Sequence, residues 1–257
     1  MKLFPDLPCS LTHFQHIVLL LSQISPCFYA PYLLQKTNDA FFTLTIFEIC
    51  LLIFPYLFCQ LLQHQKKREF FLNELENRPK QISVGMITLF GIMIAMLIAY
   101  AGVLEFKSSW ISQLNLPMKF ELFYLLALGV LFGIINPVVE EIYWRIFLAK
   151  TYPDDKKHRL LINTFYASYH FFVVGYIFGW KLGILGACAV FVLGLILDML
   201  RRKVGLIAAI LLHMGVDFGV VMVFADIIFK AMGEIGVRTP AIFKEDNMPL
   251  DFHSFNY

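Results

Sequence analysis

Seven apolar runs, each about 20 residues long, limit the possible folds of this chain more than any other feature. A run of this length crosses the hydrocarbon core of a bilayer as one α-helix, which satisfies its own backbone hydrogen bonds. The chain is 59% hydrophobic and only 16% charged, whereas soluble domains are about 45–50% apolar and about 25% charged. The runs lie near residues 13–34, 40–62, 82–104, 120–149, 160–178, 182–200 and 204–229. The sequence therefore predicts an all-α, polytopic transmembrane helix bundle of about seven to eight spans.

The remaining segments divide the chain into three parts. Residues 1–81 would hold the N-terminal spans, followed at 63–81 by an amphipathic helix on the membrane surface. Residues 82–230 would form the main helical bundle, and residues 231–257 a polar C-terminal tail. The net charge of +2 comes without a basic tract, so we expect no nucleic-acid partner.

Lys and Arg residues are divided unevenly between the two sides of the predicted bundle. With seven spans, 13 of the 21 lie at the N-terminus and in the loops 63–81, 150–159 and 201–203, and seven lie on the other side. The richer side is expected to be cytoplasmic. In a bacterium the membrane would be the inner (plasma) membrane.

Three charged residues lie deep within the fourth span: Glu140, Glu141 and Arg145. Ionisable groups at this depth are expensive, and they face a cavity or a partner. Glu141 and Arg145 are four residues apart and share a helix face, which predicts a structural ion pair. Glu140 lies about 100° around the helix, so we expect it to be the working carboxylate, a general base. Pro137 should bend this helix just before the charged residues.

Two later spans carry histidines at a similar depth. His170 lies in the fifth span, and His213 shares a face of the seventh span with Asp217. There a carboxylate can orient an imidazole, or both can serve a metal or a substrate carbonyl. Glu140 and the two histidines each lie about 15 Å below the predicted cytoplasmic face, at roughly 1.5 Å per residue. This common depth indicates one site built from three late helices.

Three further polar residues interrupt apolar runs. Glu48 in the second span could line a cavity or pair with another span. Asn136 could satisfy backbone groups that the helix bend sets free. Asp198 lies beside two arginines, where a surface ion pair is the simpler interpretation.

The charged residues of the fourth span resemble the first motif of the CPBP family. This family comprises the CAAX prenyl endopeptidases and the bacteriocin-processing membrane proteins, also called Abi proteins. Its first motif is two glutamates, three residues, then arginine, which is similar to Glu140, Glu141 and Arg145.

The two other motifs of this family also have counterparts. An aromatic residue, three residues, then histidine resembles Tyr166 to His170, with tyrosine where the family usually has phenylalanine. Histidine, three residues, then asparagine or occasionally aspartate resembles His213 to Asp217. The resemblance covers about residues 130–225, with the same motif order and the same placement on late spans.

The resemblance implies a cavity open to the cytoplasm and to the lateral bilayer. It implies an intramembrane endopeptidase for membrane-associated or lipidated peptides, among them prenylated CAAX-type tails, so membrane lipids and such peptides are the expected partners. Glu140 and His170 would activate a water for attack on the scissile carbonyl. His213 and Asp217 would stabilise the oxyanion. This makes residues 82–230 the catalytic bundle.

Aspartate at position 217 complicates the last of these roles, because an ionised carboxylate cannot donate a hydrogen bond to an oxyanion. Asp217 could be protonated, could orient His213, or could bind a metal. The four residues Glu140, His170, His213 and Asp217 could hold a divalent metal such as zinc with an open water position. They could equally work without a metal, as in a glutamate-type rather than a metalloprotease mechanism.

Four further residues near the predicted catalytic groups are expected to support the site. We expect Tyr143 and Tyr166 to line the substrate cavity, and Glu141 and Arg145 to support the site structurally. The chain lacks HExxH, and Ser168 has no GxSG context, which argues against a zincin and against a rhomboid-type serine mechanism.

Two other functions remain open from the sequence. Intramembrane Glu, His and Asp residues also relay protons in ion-coupled transporters, although the chain shows no inverted repeat. A catalytically silent immunity or scaffold protein could retain the same residues.

Overall fold

The computed structural model describes residues 12–61, 77–103 and 122–234. Within these ranges all regular structure is helical, and seven helical segments are long and apolar enough to cross a membrane. The elements are α1 (His13–Ile24), α2 (Pro26–Thr37), α3 (Ala40–Leu61), α4 (Arg78–Val103), α5 (Leu122–Val130), π1 (Leu131–Ile135), α6 (Asn136–Glu140), π2 (Glu141–Leu148), α7 (Ala149–Thr151), α8 (Lys156–Phe178), α9 (Trp180–Lys203) and α10 (Leu206–Glu234). The predicted all-α transmembrane bundle is confirmed.

Two of the predicted segments lie largely outside the described residues. Of the surface helix expected at 63–81, only its last residues are described, and residues 78–81 belong to α4. Of the expected tail 231–257, only residues 231–234 are described, and they belong to α10. Both expectations stay predictions.

The first span consists of two helices, α1 and α2. Its junction falls at Ser25-Pro26, where the sequence interrupts the apolar run. Proline suits the first turn of α2 because it has no N–H to bond there and its φ is already helical. The N–H of Ser25 still donates to the carbonyl of Leu21, so one helix follows the other without a loop.

The fourth span changes from π-helix to α-helix and back to π-helix around Pro137. The turn before the proline is a π-helix, in which the N–H of Asn136 donates to the carbonyl of Leu131. A proline ring collides with the carbonyl four residues earlier and supplies no N–H. The wider π1 turn relieves this collision, and π2 begins directly after Glu140. Wide turns of this kind occur frequently at functional sites.

The short helix α6 lies between two other spans. Helix α3 packs against one side of it and α10 against another. Helix α4 packs closely along α10, because glycine at position 215 brings the two backbones together: a Cβ there would lie 2.5 Å from the carbonyl oxygen of Leu89. This contact agrees with the close approach that small residues allow between helices in lipid.

Charged residues at the end of α9 tie it to the loop before α8. Arg202 donates from Nε to Asp198 at 3.0 Å and from Nη1 to Asp154 at 2.9 Å. The ion pair expected at Asp198 is therefore present. The hydrogen bond from Arg202 also holds the pKa of the Asp154 carboxyl below its usual value.

Candidate active site

Glu140 ends α6 and is fully buried. Its two carboxylate oxygens have different surroundings. Oε1 accepts a hydrogen bond from the hydroxyl of Tyr169 on α8. Oε2 has no hydrogen-bond partner among the described residues, and it lies 3.6 Å from Nε2 of His213 on α10. That distance is too long for a direct hydrogen bond.

His213 is held between carboxylates on both sides of its ring. Its Nδ1 lies 3.1 Å from Oε1 of Glu141. Because a carboxylate only accepts, Nδ1 carries the proton of this hydrogen bond. Its Nε2 faces the hydroxyl of Tyr166 at 3.3 Å, Glu140 at 3.6 Å and Oδ1 of Asp217 at 3.7 Å. The ring orientation thus depends on Glu141, whereas the sequence left that role open for Asp217.

Arg145 supports the site from behind Glu141 and Tyr166. Its Nε lies 3.7 Å from Oε2 of Glu141, at the distance of an ion pair. Its guanidinium stacks 4.3 Å from the ring centre of Tyr166, and Nη2 donates to the carbonyl of Gly194 at 3.4 Å. The expected pair of Glu141 and Arg145 is present, but Glu141 also binds His213, which the helix-face argument did not predict.

His170 is linked to the carboxylate through a neighbour. Its Nδ1 lies 2.8 Å from the backbone carbonyl of Tyr166, so Nδ1 carries the proton and a neutral ring leaves Nε2 as an acceptor. That Nε2 lies 3.1 Å from the hydroxyl of Tyr169. The structure therefore places Tyr169 between His170 and Glu140. The sequence analysis missed this tyrosine, whose signal was its position directly before the histidine.

Asp217 has an unforeseen partner. Oδ2 of Asp217 accepts a hydrogen bond of 3.1 Å from Nδ2 of Asn136. The sequence suggested that Asn136 would serve backbone groups near the helix bend, but its side chain crosses to α10 instead. Asn136 lies four residues before Glu140, on the same face of an ordinary helix, and this spacing could have indicated that it belongs to the site.

Tyr143 lies in the aromatic core of the bundle. Its hydroxyl donates to Oγ of Ser22 on α1 at 2.9 Å, and its ring packs edge-on against Trp144 at 4.9 Å. Tyr166, by contrast, reaches His213. Of the two tyrosines expected at the substrate cavity, the structure brings only Tyr166 to the group around Glu140.

The donor atoms around Glu140 do not suit a metal ion. Among the described residues, no three His, Cys, Asp or Glu side chains are grouped to hold one. His170 has Nδ1 on a backbone carbonyl and Nε2 on the Tyr169 hydroxyl, and Nδ1 of His213 is engaged by Glu141.

Comparison with known families covers the part of the chain that carries this site. Residues 121–219 match the model of the type II CAAX prenyl endopeptidases, Rce1-like. This match confirms the resemblance to CPBP family proteases, and it includes every residue of the three motifs. At family level it supports an intramembrane CAAX-type protease. No curated protein and no solved structure matches the chain.

Proposed function

We propose that this chain is an intramembrane endopeptidase in which Glu140 activates a water to hydrolyse a peptide bond. The observation that supports it best is the asymmetry of the Glu140 carboxylate. Oε1 is held by Tyr169, whereas Oε2 accepts no hydrogen bond from any residue that the structure describes and faces His213 across 3.6 Å. A carboxylate anchored by one oxygen keeps the other available to take a proton from water.

His213 supplies the electrophilic side of the proposed reaction. With Nδ1 bound to Glu141, a doubly protonated ring would aim its second N–H, on Nε2, at the same space that Oε2 of Glu140 faces. The hydroxyl of Tyr166 lies 3.3 Å from that nitrogen. Hydrogen-bond donors that are fixed at the place where negative charge develops stabilise the transition state. Their effect on the activation barrier is largest in a site that excludes water.

Asp217 takes an electrostatic role in this proposal. It is held by Asn136 and lies 3.7 Å from Nε2 of His213, so it favours a positive charge on the imidazole. This role does not need Asp217 to donate a hydrogen bond to the oxyanion.

His170 acts through Tyr169 in this proposal and is therefore a positioning residue. Its Nε2 and the Glu140 carboxylate compete for the single hydroxyl proton of Tyr169. The outcome of this competition sets how strongly the Tyr169 hydroxyl binds Oε1. Since both oxygens share one negative charge, it also sets the basicity of Oε2.

The proposed substrates are membrane-associated or lipidated peptides, with prenylated CAAX-type tails as one class. The matching family supports this class by its description, and the seven apolar helices support membrane lipids as the surroundings of the enzyme. The distribution of Lys and Arg further suggests that the site is reached from the cytoplasmic side.

The test is cleavage by the full chain, purified in detergent, of a prenylated fluorogenic peptide and its unmodified counterpart. Glu140→Gln removes the base and is expected to abolish cleavage of both peptides. Cys188→Ser, at an exposed position of α9, is the matched control and should cleave like the wild type. Undiminished cleavage by Glu140→Gln would overturn the proposal, and a preference for the prenylated peptide would identify the substrate class.

A further inference from the structure

Glu48 is a further buried carboxyl on a helix that packs against the site, and the proposed reaction does not use it. It lies on α3 and is 3% exposed. Neither of its carboxyl oxygens has a hydrogen-bond partner among the described residues. A buried charge without a partner is costly, so such a carboxyl takes up a proton and stays neutral.

Packing places Glu48 next to Glu140. Helix α3 packs against α6, which ends at Glu140. Phe47, the residue before Glu48, packs on the ring of Tyr169 with 5.0 Å between ring centres. Glu48 therefore approaches the Tyr169–Glu140 pair from α3, while His213 approaches it from α10.

Hydrolysis of a peptide bond needs an acid as well as a base. The leaving nitrogen departs as an amine only if it gains a proton, and the base Glu140 begins the reaction without one. His213 and the Tyr166 hydroxyl are directed at the oxyanion in the proposed function. Glu140 carries a proton only after the attack, whereas a neutral carboxyl on the neighbouring helix α3 holds one from the start.

We propose that Glu48 is the general acid that protonates the leaving nitrogen. This inference rests on the proposed peptidase function. Water attacks the carbonyl carbon while one of its protons passes to Oε2 of Glu140. The C–N bond then breaks as Glu48 gives its proton to the nitrogen, which leaves a carboxylic acid and an amine. Transfer of the proton from Glu140 to Glu48 restores both side chains.

The test compares two substrates that share one acyl part: a peptide amide and an ester with a nitrophenolate leaving group. Nitrophenolate leaves without a proton, so its release needs no acid. Glu48→Gln is nearly isosteric with a neutral glutamate and keeps hydrogen-bonding capacity, but it cannot transfer a proton at this step. Cys50→Ser is the control, because Cys50 is exposed on the same helix.

We expect Glu48→Gln to lower kcat for the amide by about 100-fold or more, the range of general acid catalysis. Ester cleavage should stay close to the wild-type rate, which also shows that the variant is folded. Cys50→Ser should cleave both substrates normally. Equal losses on amide and ester, or no loss on the amide, would overturn the acid role. Glu140→Gln tests the proposed function separately, because attack on the ester still needs an activated water.

Discussion

The hydroxyl of Tyr169 donates a hydrogen bond to Oε1 of Glu140. One tyrosine on α8 thereby makes the two oxygens of a buried carboxylate unequal, because Oε2 has no hydrogen-bond partner among the described residues. The same hydroxyl lies 3.1 Å from Nε2 of His170. The motif histidine and the motif glutamate are therefore linked through a tyrosine at one of the three unspecified positions of the second motif.

Replacing Tyr169 with phenylalanine should lower kcat and leave KM nearly unchanged. A hydrogen bond to a charged group contributes about 1.5–3 kcal/mol, which corresponds to about 10–160-fold in rate. Steady-state kinetics on the fluorogenic peptide measures the effect. Tyr32→Phe, at an exposed position of α2, is the control. A normal kcat for Tyr169→Phe would show that the hydroxyl does not position Glu140.

Glu141→Gln should reduce stability, while Glu140→Gln should reduce only activity. Neutralising Glu141 leaves the buried guanidinium of Arg145 without its 3.7 Å partner, and breaking a buried pair costs about 3–5 kcal/mol. Among the described residues, Oε2 of Glu140 accepts no hydrogen bond and pairs with no arginine; its nearest charged partner is His213, 3.6 Å away. Thermal unfolding in detergent, measured beside cleavage, separates the two effects. Equal unfolding midpoints for the two variants would contradict the division of roles between these glutamates.

Gly194→Ala should lower the stability of the bundle, because the added methyl group would crowd residues of the candidate site. The added methyl would lie 3.1 Å from Cδ1 of Tyr166 and 3.2 Å from Nη2 of Arg145, and it would contact Oδ1 of Asn163. Overpacking of this kind costs about 1–3 kcal/mol. A Cβ at Gly91 meets nothing within 4 Å, so Gly91→Ala is the matched control. Equal stability of the two variants would show that the site can shift to admit the methyl.

Cleavage should persist after treatment with EDTA or 1,10-phenanthroline. The reason is the arrangement of donors: the nitrogens of His170 and Nδ1 of His213 are engaged by protein groups, and the described residues contain no grouped set of three ligands. The measurement is initial rate with and without chelator. Loss of activity that added Zn²⁺ restores would contradict this prediction and support the metal set Glu140, His170, His213 and Asp217.

The spans, and the meeting of motif residues from three late helices in one site, could be predicted from the chain alone. Hydropathy over about 20 residues depends only on local composition, and residue counts along a helix convert directly into depth. For this reason the sequence indicated the bundle and the layer that contains Glu140, His170 and His213. The ion pair of Glu141 and Arg145 was equally accessible, because four residues form one helical turn.

The contacts between helices required the tertiary structure. The wide turns π1 and π2 change the rotation of the fourth span on both sides of Glu140, so an ideal 100° step per residue does not give the true directions of its side chains. The contacts of Glu141 with His213 and of Asn136 with Asp217 both join the fourth span to α10. Sequence spacing sets neighbours within one helix, whereas the rotation and packing of whole helices set which side chains meet across the bundle.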